Sequence, residues 1–177
     1  MKRIMDGKQV AVALNRLHRA VLSALPAETP IALVGIRTRG LTIADRLVDK
    51  LRKDRKIEVR RGALDITFYR DDLSRRRGAP LVKATEIDFD LDDTWVLLVD
   101  DVLQTGRSVR AALDALHDFG RPKAIRLAVL IDRGGRELPI SADFVGKSLK
   151  AAANCRIQVA LKENDGKEGV YSVKKDH

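Results

Sequence analysis

Three short, nearly uninterrupted apolar runs limit what this chain can fold into: Ile31–Ile36 (IALVGI), Trp95–Val99 (WVLLV) and Ala124–Ile131, broken only by Arg126. A strand with one wet face alternates polar and apolar residues, so runs of this kind require strands covered on both faces. Three amphipathic stretches supply the cover. Val10, Ala13, Leu14, Leu17, Val21 and Leu25 recur at helical spacing and stop at Pro26. Leu41, Ala44, Leu47, Val48 and Leu51 repeat the pattern, as do Val109, Leu113, Leu116 and Phe119 before Gly120. Short buried strands alternating with amphipathic helices predict an α/β fold with a mainly parallel central sheet flanked by helices.

The remaining segments are less regular. Ala63–Tyr69 reads as a strand, and the charged stretch that follows, Arg70–Pro80, as an exposed loop. Arg156–Leu161 and Val170–Val173 flank Asn164-Asp165-Gly166 and predict a C-terminal β-hairpin with a tight turn. At 177 residues a single domain with one core is expected. The N-terminal segment is interrupted by Asn15, Arg16, His18 and Arg19, so it has no signal-peptide core, and a cytoplasmic location is expected. One cysteine, Cys155, rules out an internal disulfide, and no Cys/His spacing suits zinc. Cys155 and Trp95 read as packing residues, and His18, His117 and His177 as surface residues. The net charge of +9 favours phosphorylated or polyanionic partners without saying which.

Chemistry concentrates in Val96–Ser108, VLLVDDVLQTGRS. In an open parallel sheet, ligands bind beyond the carboxyl ends of strands, and this strand is expected to end at Asp100 and Asp101. Adjacent carboxylates repel phosphate but accept hydrogen bonds from vicinal hydroxyls, as on a ribose. Thr105, Gly106, Arg107 and Ser108 follow where a helix begins, and backbone N–H groups, hydroxyls and the helix dipole can hold a phosphate there. Two rival readings fit less well. Too few residues follow Asp101 for the acidic pocket of a receiver domain. Gly146-Lys147-Ser148 lacks the first P-loop glycine, whose place is taken by Ser141.

This segment resembles the phosphoribosyl-diphosphate motif of the type I phosphoribosyltransferases. Gly35–Gly40 (GIRTRG), Leu64–Leu73 (LDITFYRDDL) and Ile131–Ile140 (IDRGGRELPI), with the terminal hairpin, narrow the resemblance to the PyrR family, which are pyrimidine operon attenuation regulators and uracil phosphoribosyltransferases. The resemblance implies a type I phosphoribosyltransferase fold with a small hood at about 132–150 plus the hairpin at 156–173. It implies that Asp100 and Asp101 contact the ribose hydroxyls. Val102, Leu103, Gln104, Thr105, Gly106, Arg107 and Ser108 would wrap the 5-phosphate. Thr38, Arg39 and Gly40 would bind diphosphate. A flexible loop, about 70–84, would close the site with Arg70, Arg75, Arg76 and Arg77 as cations for the leaving group, and Arg133 and Val145 would lie near the base. Arg16, Arg19, Arg136 and Lys147 are the implied RNA contacts. Departures from the family pattern fall at Gln104, Ser108, Gly135, Ser141, Asn15 and Arg19.

The implied reaction is uracil plus 5-phosphoribosyl-1-diphosphate giving UMP and diphosphate, with Mg²⁺ arriving on the substrate rather than in a protein cage. Uridine nucleotides, a pyrimidine operon leader RNA and further copies of the chain are the implied partners. Two alternatives stay open: transfer to another base without RNA regulation, and an RNA-binding regulator whose catalysis is vestigial.

Overall fold

A computed structural model describes residues 1–55, 57–71 and 84–174. The chain runs β1 (Lys2–Met5), α1 (Gly7–Ala24), β2 (Ile31–Ile36), α2 (Arg39–Arg55), β3 (Arg60–Leu64), β4 (Trp95–Leu103), α3 (Arg107–Leu116), β5 (Ala124–Asp132), β6 (Phe144–Ser148), β7 (Cys155–Ala160), α4 (Lys162–Asp165) and β8 (Gly169–Lys174). Single 3₁₀ turns occupy Thr67–Tyr69 and His117–Phe119. Five strands form a wholly parallel sheet in the order β3-β2-β4-β5-β6. A separate antiparallel sheet has the order β1-β8-β7.

The apolar runs divide between two cores, as the pleat requires. Ile31, Leu33, Leu97, Val99 and Leu130 face one way and pack with Leu17 of α1 and Leu47 of α2. Ala32, Val34, Leu98, Leu127 and Val129 face the other way and pack with Val109, Ala112 and Leu116 of α3. Both faces of β2, β4 and β5 are dry, so period-two alternation disappears from their sequence. The small sheet adds Val159, Leu161 and Val170 to the α1/α2 side.

Helix α1 begins with a capping box. Asp6 Oδ1 accepts the Gln9 N–H and Gln9 Oε1 accepts the Asp6 N–H, each at 2.9 Å. Such a cap stabilises a helix by about 1 kcal/mol. No helix among the described residues is long and apolar enough to cross a membrane.

Several expectations are corrected. The strand at Ala63–Tyr69 is β3, which starts earlier, at Arg60, and stops at Leu64, because Asp65 turns the chain. Its Oδ1 accepts the Thr67 N–H and hydroxyl at 2.7 and 2.5 Å. Strand β4 does not end at the acidic pair but continues to Leu103, with Asp100 beside Val129 and Leu103 beside Asp132. The tight turn at Asn164-Asp165-Gly166 is the single helical turn α4, closed by Gly166 in the left-handed region. His18 is buried, not superficial, with Nε2 lying 2.6 Å from Asp54 Oδ2 and linking α1 to α2. Within 132–150, Phe144–Ser148 joins the central sheet as its edge, paired with β5.

Candidate active site

The carboxyl ends of β2, β3 and β4 open onto a cleft of about 440 Å³. Its floor is Asp100, Asp101 and Val102 from β4, and one wall is Arg37, Thr38 and Arg39 where β2 passes into α2. Asp65, Ile66, Thr67 and Arg70, which follow β3, form the other wall, and Ser108 of α3 closes it. A second hollow of about 200 Å³ shares Asp100, Val102 and Ser108 and runs along Leu103, Gln104, Thr105 and Gly106 to Ile157 of β7.

The acidic pair sits in an unfavourable place for charge. Asp100 is 8 % exposed. Each carboxylate accepts a neighbouring backbone N–H, Asp101 N–H to Asp100 Oδ1 at 2.8 Å and Val102 N–H to Asp101 Oδ1 at 2.9 Å. Burial, followed by the charge of Asp101, pushes the Asp100 carboxyl well above the usual range, with the Arg70 charge opposing. Burial also raises Asp101, against the hydrogen bond to Asp100 and the charge of Arg39. Hydroxyl donors or a cation entering the cleft would relieve this cost.

Beyond the pair, Gly106 has φ 92° and caps α3 with no side-chain hydrogen bond. The Gly106 carbonyl accepts the Arg110 N–H at 2.9 Å and Thr105 Oγ1 accepts the Arg107 N–H at 3.3 Å, while Gly106 itself supplies no side-chain cap to the first turn. A helix start with only this long side-chain bond at its first N–H suits a phosphate. Arg107 supplies its backbone there, but its side chain points outward. Nε donates to Glu137 at 2.7 Å and Nη1 to Asp71 at 2.5 Å.

Arg39 starts α2 and lines the cleft, with its guanidinium held by Asp165 at 3.1 Å through Nε and 2.6 Å through Nη2. Gly40 has a packing role. A Cβ there would lie 2.5 Å from the Val99 carbonyl oxygen, so only glycine lets α2 start against β4. The Arg37–Thr38 peptide is cis.

The structure thus brings Asp100, Asp101, Val102, Ser108, Thr38, Arg39 and Arg70 to one cleft, with Leu103, Gln104, Thr105 and Gly106 along the adjoining hollow. Other expected site residues lie elsewhere. Arg133 is buried, donates to the Cys155 carbonyl at 2.7 Å, and lines neither hollow. Val145 is half-buried and packs against the core cluster that includes α3. Arg136, half-buried, acts as a brace: its fork donates to Ile140 O, Gln104 O and Asp132 Oδ2 at 2.8, 3.0 and 2.6 Å. Arg75, Arg76 and Arg77 lie outside the described residues. Arg16 and Lys147 share one surface groove with Lys8 and Val12. Arg19 lines another with Lys50 and Lys53. Gln104 and Gly135, both departures from the pattern, are neighbours in space, because a Cβ on Gly135 would lie 3.9 Å from Gln104 Cγ.

Arg37, Asp65, Ile66, Thr67, Ile157 and Asp165 are among the residues that sequence reasoning missed, and Arg37 stands beside the Thr38–Gly40 segment that it singled out. Reading β3 through to Tyr69 hides Asp65, Ile66 and Thr67. Nothing local marks Ile157 or Asp165.

Residues 1–163 match the family described as phosphoribosyl transferase domain. The bifunctional protein PyrR of Elusimicrobium minutum is 48 % identical over 176 residues, covering 99 % of this chain and 98 % of its own. The chain belongs to the PyrR family. The PyrR proteins of Deinococcus radiodurans and Clostridioides difficile are 50 % and 48 % identical, over 92 % and 95 % of this chain and 89 % and 95 % of theirs. Among solved structures, a hypoxanthine-guanine phosphoribosyltransferase from Bacillus anthracis superposes with a TM-score of 0.70 over 98 % of both chains at 16 % identity. That likeness concerns the fold alone. Within this PyrR-family fold, β4 of the five-stranded parallel sheet carries the acidic pair.

Proposed function

We propose that the protein transfers the phosphoribosyl group of 5-phosphoribosyl-1-diphosphate to uracil, giving UMP and diphosphate, and that it binds RNA to regulate pyrimidine biosynthesis genes by attenuation. One observation carries the enzymatic half: a carboxylate pair, Asp100 buried and Asp101 half-buried, that can accept two hydroxyls, one short loop from a helix start that can hold a phosphate. The PyrR relatives favour uracil over other bases.

In this reading Asp100 and Asp101 accept hydrogen bonds from the ribose diol, and the backbone from Gln104 to Ser108 wraps the 5-phosphate. Thr38 and Arg39, with Arg70 across the cleft, face the diphosphate. Uracil N1 attacks the anomeric carbon, the bond from that carbon to the diphosphate oxygen breaks, and the N1 proton is lost. The chain's contribution is positioning and stabilisation of charge as diphosphate departs. The carboxylates are hard oxygen donors that suit Mg²⁺, which when bound with the substrate neutralises diphosphate charge. Among the described residues no cluster of three or more His, Cys, Asp or Glu could hold a metal, so substrate oxygens and water would complete its shell.

For RNA, Arg16 and Lys147 on one groove and Arg19 on the next are the contacts, and self-association belongs to the same proposal. The cytoplasm is the working compartment. Steady-state assays with uracil, hypoxanthine, guanine, adenine and orotate test the first half, and uracil is expected to give the highest kcat/KM. Filter binding with a pyrimidine leader RNA against a scrambled RNA tests the second. Equal affinity for both would leave an enzyme with a basic surface.

A further inference from the structure

The two sheets are fastened along one face of α2. Arg39, Thr42 and Arg46, at helical spacing, meet the connector between β7 and β8. Arg46 grips Glu163 and Glu168, each at 2.6 Å, and lines no part of the cleft. The Arg39 contact differs because Arg39 does line the cleft, and its charge acts on Asp101. Asp165 occupies only the Nε–Nη2 edge of that guanidinium, leaving the Nη1 edge for a ligand. The carboxylate is itself held. Its Oδ2 accepts the Leu161 N–H at 2.9 Å, and its side chain is 16 % exposed. The bond from Arg39 keeps the Asp165 carboxyl below the usual range, so it stays ionised in neutral solution.

We propose that Asp165, from the small sheet, is a positioning residue for the transfer reaction: it fixes Arg39 so that its remaining edge faces the departing diphosphate. The inference rests on the reading that Arg39 binds diphosphate. An arginine at the mouth of a cleft samples many rotamers, and each binding event would have to freeze it. A bidentate carboxylate freezes it beforehand, which lowers the cost of binding and of reaching the transition state. Asp165 touches no substrate in this scheme, and it acts through the fork it holds.

The test is a double-mutant cycle on the full chain, read by steady-state kinetics and by product inhibition with diphosphate. Asp165→Asn should raise KM for phosphoribosyl diphosphate and the diphosphate inhibition constant together, each by about tenfold, the worth of one charge-assisted contact. The KM for uracil should not move. Asp165→Glu should recover part of the loss. In an Arg39→Gln background, Asp165→Asn should add nothing further. Glu163→Gln loosens the same connector at Arg46 and should leave both diphosphate readouts unchanged. An unchanged or lowered KM in Asp165→Asn overturns the inference, as does an equal loss in both backgrounds or the same loss in Glu163→Gln. If Arg39→Gln itself leaves both diphosphate readouts unchanged, the assignment of Arg39 to diphosphate falls as well. That outcome is distinct from a failure of Asp165 alone.

Discussion

Asp100 shows at the scale of one residue how a carboxylate proposed to bind a sugar opposes stability. Its carboxyl is raised in the folded chain, so between the unfolded and folded values the native state holds a proton that the unfolded state has released. Stability therefore falls as pH rises through that window and stays low above it. Asparagine keeps the oxygen that accepts the Asp101 N–H and removes the buried charge. Asp100→Asn is expected to raise Tm by about 3 °C at pH 8 and by less at pH 5, measured by calorimetry. Its affinity for phosphoribosyl diphosphate should fall. In the unsubstituted protein the same affinity should drop as pH falls toward the raised Asp100 value, because a protonated carboxyl is a poorer acceptor. Gly40 gives the opposite kind of residue effect. The added methyl of Gly40→Ala meets the Val99 carbonyl at 2.5 Å, so Tm should fall by about 5 °C through overpacking.

Among the elements, the loop from Gln104 to Gly106 is tied from above by one side chain. Arg136 joins Gln104 O to Asp132 and to Ile140 O, bridging that loop, the end of β5 and the segment after it. Arg136→Gln is expected to raise KM for phosphoribosyl diphosphate severalfold while leaving the salt dependence of RNA binding unchanged. A changed salt slope with normal kinetics would restore Arg136 to the RNA surface. This element also shows which parts of the chain were legible. Strands β2, β4 and β5 could be read because both of their faces are dry, and α1, α2 and α3 because each has one dry face. Strand β1 could not, because Lys2, Arg3 and Ile4 are all exposed at a sheet edge. Strand β6 is likewise an edge, and Lys147 and Ser148 within it are exposed. In the site, the acidic pair and the phosphate loop are contiguous, so local chemistry reveals them. The Arg39–Asp165 bond spans 126 positions and the Arg136–Gln104 bond spans 32, and neither leaves a local signal.

For the whole molecule, the +9 charge is unevenly employed. Arg39, Arg46, Arg61, Arg107 and Arg136 are each committed to carboxylates, whereas Arg16, Arg19, Lys8 and Lys147 stand on exposed grooves. With Arg136 withdrawn, three phosphate contacts remain among the implied four, so log affinity for leader RNA against log salt should have a slope of about −2. Changing Arg16 or Lys147 to Gln should flatten it by about 0.7 each, without altering turnover. The central claim, that one cleft holds ribose at Asp100–Asp101 and phosphate at the start of α3, is tested most directly by calorimetric titration of Mg²⁺-phosphoribosyl diphosphate into the Asp100→Asn/Asp101→Asn double variant. The account predicts a variant that remains folded, with Tm no lower than the unsubstituted protein and affinity reduced at least about tenfold. Unchanged affinity in that folded variant would contradict it.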